Sequence, residues 1–205
     1  MPGEGARVTP SKVFVRKEEV TGLVLAGGRG SRMDGRDKGL ILYEGQPLVA
    51  HALKVLSTVA DHLLISANRS HAAYASWGYP VVTDPDSEFK GPLSGILAGM
   101  NAAETPFMLV MPCDMPKVTP PVLEAILSRH REQPDRPMVV AHDGERMQPL
   151  LMLVRTDLAA SLQAYLDSGE RKVGGWIKGI SHLCADLSSW HSDLININRP
   201  EDLES

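Results

Sequence analysis

Between Leu25 and Leu40 the chain runs Leu-Ala-Gly-Gly-Arg-Gly-Ser-Arg-Met-Asp-Gly-Arg-Asp-Lys-Gly-Leu. Glycines directly after an apolar run free the backbone to turn its N–H groups inward around an anion. Four cationic side chains, Arg29, Arg32, Arg36 and Lys38, stand here against two carboxylates, Asp34 and Asp37. A positive, glycine-rich loop suits a triphosphate better than a neutral ligand. Two familiar phosphate motifs do not fit. A dinucleotide fingerprint requires glycine three residues after Gly30, where Met33 stands, and an acidic residue closing the second strand, where Asn68 lies instead. A P-loop requires Gly-Lys-Ser/Thr, where the chain has Gly35-Arg36-Asp37. A plain turn would account for the glycines but not for the cations gathered with them.

Each polar candidate has a chemistry and a plainer alternative. Lys38 is a compact point charge suited to phosphate, or a solvated loop lysine. Arg32 can spread a guanidinium over a transferring phosphoryl group and a departing pyrophosphate. Asp114 follows an apolar run and reads as a Mg²⁺ ligand or as a turn or cap aspartate. Mg²⁺ needs few protein carboxylates, because waters and substrate phosphates complete its shell. Cys113 has no histidine partner nearby and reads as a small packed residue, not a nucleophile. Asn68 and Asp84 are ordinary turn residues on their own.

The elements that must hold these residues alternate. Val20 to Leu25, His62 to Ala67, Pro80 to Val82 and Phe107 to Met111 read as strands. Helical spacing follows Pro47, through Leu48, Ala52, Val55, Leu56 and Val59. Pro92 to Met100 reads as a helix packed closely on a sheet, and Thr119 as the N-cap of a helix reaching His130. Alternation of this kind predicts a parallel sheet covered on both faces, with ligands beyond the strands' carboxyl ends. Leu25 to Gly39, Asn68, Asp84 and Asp114 all fall at such ends. After Pro137 the pattern changes to a strand pair, Met138 to His142 and Leu150 to Val154, around Asp143-Gly144, and then a helix from Asp157 to Leu166.

The 205 residues suit one domain, with 1–18 expected as a flexible N-terminal extension and 19–205 as the domain itself. A net charge of −4 argues against a globally basic nucleic-acid binder. Two cysteines cannot make a disulfide framework or a four-ligand zinc site, which suits a reducing cytoplasm. No apolar run reaches the roughly 18 residues of a membrane span, and the N-terminus lacks a signal-peptide core.

The Leu25–Leu40 string resembles the signature of nucleotidyltransferases, specifically the molybdenum cofactor guanylyltransferases, the MobA family. Further pieces match in the family's order: Ala67-Asn68-Arg69, Asp84, Gly91-Pro92-Leu93-Ser94-Gly95, Pro112-Cys113-Asp114-Met115-Pro116, Gly169-Glu170-Arg171-Lys172-Val173 and Asn196-Ile197-Asn198-Arg199-Pro200-Glu201-Asp202. They extend over nearly the whole chain, from about Val20 to Leu203. One departure is Asp34, where the family usually carries glycine.

The resemblance implies a three-layer α/β sandwich around a mostly parallel, Rossmann-like sheet of the nucleotide-diphospho-sugar transferase type. It implies GMP transfer from GTP to the terminal phosphate of molybdenum-molybdopterin, with Mg²⁺ on Asp114 and catalysis by Arg32, Lys38 and Asp114. It assigns the nucleotide to Leu25, Ala26, Gly27, Gly28, Lys38, Asn68, Asp84 and Asp114. The pterin falls to Gly91, Gly95, Gln148, Arg171, Lys172, Asn196 and Asn198. Guanylyl-transferring relatives carry Leu-Ala-Gly-Gly where cytidylyl-transferring ones carry Leu-Ala-Ala-Gly, and Gly27 sides with GTP. Implied partners are the upstream molybdenum-insertion protein and molybdoenzyme-specific chaperones, with no nucleic acid and no membrane. A cytidylyl version, a sugar-phosphate nucleotidyltransferase and a nucleotide-binding regulator without turnover remain as alternatives.

Overall fold

The structure, a computed structural model, describes residues 15–27, 37–84, 91–198 and 200–203. In chain order its elements are β1 (Val20–Leu25), β2 (Leu42–Tyr43), β3 (Gln46–Pro47), α1 (Leu48–Leu56), β4 (His62–Ser66), α2 (His71–Ala75), β5 (Val81–Val82) and α3 (Pro92–Ala102). There follow β6 (Phe107–Pro112), α4 (Pro120–Glu132), β7 (Met138–His142), β8 (Met147–Arg155), α5 (Ala159–Asp167), α6 (Val173–Lys178) and β9 (His182–Asp186).

All six residues of β1 are buried. A run with no polar face suits only a strand covered on both sides. Among the described residues seven strands form one sheet in the order β5-β4-β1-β6-β8-β7-β9, and of these only β8 runs against the rest. The expected mostly parallel sheet is therefore present. Leu109, Met111, Val139 and Leu153 pack with α1 and α4 on one face; Met108, Val110, Val140 and Met152 pack with α3, α5 and α6 on the other. Successive residues of each strand thus feed opposite layers, which is why these strands read as unbroken apolar runs.

The chain's direction across the sheet decides where a ligand can sit. From β1 it moves outward to β4 and β5, then returns through α3 to place β6 on the other side of β1. Right-handed crossovers put α1 and α3 on opposite faces because the two moves run in opposite directions. The carboxyl ends of β1 and β6 therefore open a crevice at the point of reversal.

Several details depart from the sequence reading. The first described residue, Val15, lies within the expected extension, yet it is 4% exposed and packs in the core. Thr119 stands at the N-cap of α4 but its side chain makes no capping hydrogen bond. β8 begins at Met147, not Leu150. A register shift between Val140 and Ala141 lets the strand absorb Pro149, which has no N–H to give. The β2–β3 hairpin, α2, α6 and β9 were not expected. Among the described residues no helix is long and apolar enough to cross a membrane.

α3 lies unusually close to the sheet. A Cβ on Gly95 would stand 2.3 Å from Ser66 Oγ, whereas one on Gly174 in α6 meets nothing within 4 Å among the described residues. Gly95→Ala should therefore cost about 1–2 kcal/mol net, overpacking exceeding the gain in helix propensity. Gly174→Ala should be neutral or stabilising by up to about 1 kcal/mol. Urea unfolding of both variants tests this; a Gly95→Ala protein as stable as the native one would mean the contact has slack.

Candidate active site

Three chain segments meet through one ion pair at the β1–β6 crevice. Pro112 is paired with Leu25, and Asp114 follows two residues later. Lys38 Nζ donates to Asp114 Oδ2 at 2.7 Å, and their side chains are 19% and 16% exposed. The same ammonium donates to Asn198 Oδ1 at 3.0 Å. Asn196 Nδ2 donates to Asp114 Oδ1 at 2.9 Å, and Ile197 N–H donates to the Asp114 carbonyl at 2.8 Å. Ile197 is buried at 4% exposure, anchoring the strap between two asparagines that both reach the ion pair. The predicted residues Lys38, Asp114, Asn196 and Asn198 are thus brought together from positions far apart in sequence.

The first cavity, of about 100 Å³, is lined by Leu25, Ala26, Gly27, Lys38, Pro92 and Asp114, among others. Its floor is tied to β4. Ser66 O accepts both Ala26 N–H at 2.9 Å and Gly27 N–H at 3.0 Å, and Leu25 O accepts Cys113 N–H at 3.1 Å. The N–H groups of Ala26 and Gly27 are therefore engaged, and what these two residues can offer a ligand is carbonyl oxygen. Asn68 and Asp84 clasp one another at the ends of β4 and β5: Asn68 Nδ2 donates to Asp84 Oδ2 at 2.8 Å, and Asp84 N–H donates to Asn68 Oδ1 at 3.0 Å. Cys113 is buried, and burial followed by the charge of Asp114 pushes its thiol well above its ordinary value. That suits a packed, neutral thiol.

Asp37, beside Lys38, is held from behind by Arg69 and by Tyr74, a residue that sequence reasoning missed. Tyr74 Oη donates to Asp37 Oδ1, and Arg69 Nε lies 3.5 Å from Asp37 Oδ2. Burial, then the Asp37 hydrogen bond and charge, pushes the Tyr74 phenol far above its ordinary value, so it remains a donor. Gly39 fits beneath the same ring: a Cβ there would stand 2.4 Å from Tyr74 Oη. Both neighbours of Lys38 are therefore fixed by one tyrosine, 35 or more residues away. Nothing local in sequence signals that contact.

A second cavity, of about 260 Å³, is lined by Asp143, Gln148, His191, Ile195, Asn196 and Asn198, among others. Three of the expected pterin residues meet here. Arg171 and Lys172 line neither cavity. The Arg171 guanidinium donates to the carbonyls of Leu166 and Glu170, closing the end of α5, and Lys172 is exposed at the start of α6. Gly91, with φ +90°, turns the chain into α3, whereas Gly95 is buried against Ser66 and Leu25 as a packing residue. Arg32, Gly28 and Asp34 lie outside the described residues. Among the described residues no three His, Cys, Asp or Glu side chains gather to hold a metal, so Asp114 is a lone carboxylate candidate.

Tyr74→Phe removes the only proton the ring gives to the sheltered Asp37 carboxylate. Stability in urea should fall by about 1–3 kcal/mol, with weaker nucleotide binding by calorimetry. A loss below about 0.5 kcal/mol would make the clasp energetically idle.

The family model described as the MobA-like NTP transferase domain matches residues 22–183. A molybdenum cofactor guanylyltransferase of Shewanella frigidimarina (strain NCIMB 400) is 40% identical over 183 residues, covering 89% of this chain and 93% of that protein. One of Ectopseudomonas mendocina (strain ymp) is 41% identical over 179 residues, 87% of either chain. The crystal structure of molybdopterin-guanine dinucleotide biosynthesis protein A from Archaeoglobus fulgidus aligns with a TM-score of 0.74 over 90% of this chain and 95% of that one, at 22% identity. That likeness bears on fold alone, and it agrees with the three layers and the reversal at β1 and β6. By the match over most of its length and by these relatives, the chain belongs to the MobA-like NTP transferase family.

Proposed function

We propose that this protein transfers GMP from GTP to the terminal phosphate of molybdenum-molybdopterin, releasing pyrophosphate. The observation that carries the reading is the Lys38–Asp114 pair with Asn196 and Asn198, which stands between two cavities. A transferase of this kind needs two anionic substrates to meet at one phosphorus. The relatives named above are molybdenum cofactor guanylyltransferases.

In the transfer, a phosphate oxygen of the pterin forms a bond to the α-phosphorus of GTP. The α–β phosphoanhydride bond breaks, and pyrophosphate leaves with the electron pair. The nucleophile is already an anion, so no side chain need remove a proton. What the protein must supply is alignment and countercharge, and alignment alone can be worth roughly 7–11 kcal/mol. Lys38 provides one positive charge at the meeting point. Arg32 belongs to the same proposal by its place in the glycine loop.

The donor set fits Mg²⁺. A carboxylate has about four lone-pair sites, and Lys38 and Asn196 each take one on Asp114. One carboxylate beside a triphosphate is what Mg²⁺ commonly requires. When bound there it supplies countercharge to the phosphates. Asp114→Asn keeps the volume and the Asn196 contact region but removes the hard anionic ligand. The variant should fold, bind GTP in the absence of metal, and lose Mg²⁺-dependent turnover by 10²-fold or more, an order-of-magnitude expectation for losing a metal ligand. Near-native turnover at low millimolar Mg²⁺ would remove Asp114 from that role.

The preference for guanine has a physical basis in the first loop. With the N–H groups of Ala26 and Gly27 held by Ser66, the loop presents carbonyl acceptors. Guanine's Watson–Crick edge carries two adjacent donor groups, N1–H and the 2-amino group, whereas cytosine carries one amino group. Among the described residues, a Cβ on Gly27 would stand 3.7–3.8 Å from the backbone of Ser66, Ala67 and Asn68, ordinary contact, so Gly27→Ala should leave the fold undisturbed while adding bulk to a loop that lines the cavity. The native protein should prefer GTP to CTP in kcat/KM by several orders of magnitude, and Gly27→Ala should lower the value for GTP more than that for CTP. Comparable use of both nucleotides by the native protein would replace the guanylyl reading with the cytidylyl one.

A further inference from the structure

Three primary amides, Gln148, Asn196 and Asn198, line the 260 Å³ cavity, and each has one end already committed. Asp143 commits the first. It stands at the turn between β7 and β8 with its side chain 4% exposed. Its Oδ1 accepts the N–H groups of Glu145 at 2.9 Å and Arg146 at 2.8 Å, and its Oδ2 accepts Gln148 Nε2 at 2.6 Å. Burial opposes its charge, but these hydrogen bonds outweigh burial and hold the carboxyl down at about 2. The backbone is fixed too, with Asp143 N–H on Arg146 O at 3.1 Å and His191 Nδ1 on Asp143 O at 3.0 Å.

An ionised carboxylate can only accept. Gln148 must therefore turn its NH₂ to Asp143, which leaves Oε1 as the end available to a ligand. The same logic applies to the others. Asn196 gives its NH₂ to Asp114 and keeps an oxygen; Asn198 gives its oxygen to Lys38 and keeps an NH₂. The three amides thus offer two acceptors and one donor. A 2-amino-4-oxopyrimidine edge, as in a pterin, offers two N–H donors and one carbonyl.

We propose that Asp143 is a positioning residue that sets the hydrogen-bond polarity of this cavity, holding Gln148 Oε1 as an acceptor for an N–H group of the pterin. The inference rests on the reading that the pterin occupies this cavity.

Asp143→Asn is the decisive variant, because the new side chain keeps an oxygen for the Glu145 and Arg146 N–H groups but turns an NH₂ on Gln148. Two NH₂ groups cannot face each other, so Gln148 rotates and presents its own NH₂ to the cavity. At saturating Mg²⁺ and GTP, the KM for molybdopterin should rise roughly tenfold to a hundredfold, as expected when donors oppose donors. kcat and the KM for GTP should stay within about twofold, the split expected when pterin binding alone is weakened; the double variant then separates lost polarity from a loosened turn. Adding Gln148→Glu to Asp143→Asn restores an acceptor pair and should return the KM to within about threefold of native. Ile195→Trp, which crowds the cavity from an exposed position, checks the reading beneath. If Ile195→Trp raises the pterin KM and Asp143→Asn does not, the role of Asp143 is overturned while the cavity stands. Failure of the double variant to recover would also overturn it, since Asp143 would then be acting through the turn. If neither single variant raises the KM, the cavity reading fails and this inference with it.

Discussion

The Lys38–Asp114 ion pair is the contact on which the rest of the site depends. It spans 76 positions of sequence and sits in partial shelter, where water neither fully screens it nor fully solvates its members. Such a pair is the more durable when each member has a further hydrogen-bond partner. Asn198 serves Lys38 and Asn196 serves Asp114, and the buried Ile197 holds the two asparagines at the right reach. Removing any one participant leaves a charged group short of a partner at the bottom of a crevice.

The sheet makes this pairing possible without any strained connection. Parallel neighbours end at the same edge, so the residues after β1 and β6 are close by construction. The reversal of winding between those two strands keeps helices from covering that edge. The later strands contribute differently. β8 starts at the crevice edge and runs away from it, and its bulge and Pro149 set Gln148 and Leu150 at the walls of the two cavities. The crevice edge is thus assembled from a regular parallel half and an irregular antiparallel half.

Much of this was legible in sequence because it rests on local pattern. β1, β6 and β7 are runs of apolar residues that no helix period explains, and their observed bounds lie within one residue of those read directly. Lys38 and Asp114 were candidates by type and place, whereas Asn196 and Asn198 were found through family likeness, which carried information that spacing alone does not hold. The misses have physical causes. β9 places only Leu183 and Ala185 inward, too few to stand out as an alternation. α6 contains Gly174 and Gly175, poor helix formers overruled by the burial of Trp176 and Ile177. Asp37 was counted as a charge opposing phosphate, when its carboxylate is turned to Tyr74 and Arg69. Arg171 was read as a ligand for an anion, when its guanidinium serves helix carbonyls. Contacts of this kind join residues whose types are unremarkable one at a time.

The close seating of α3 has a consequence for how the protein tolerates change. Gly95 and Gly99 lie one turn apart and let the helix touch Ser66, Leu23 and Met108 almost without intervening side chain. Pro92, the first residue of that helix, is part of the wall of the 100 Å³ cavity beside Lys38 and Asp114. A helix is stiff over eleven residues, so it behaves as a lever whose fulcrum is the glycine contact. A methyl group added at the fulcrum tilts the tip, and displacements near 1 Å are enough to cost an enzyme roughly 10²-fold. Core positions and binding positions are ordinarily treated as separate classes of mutational target. Along α3 they are two ends of one rigid body.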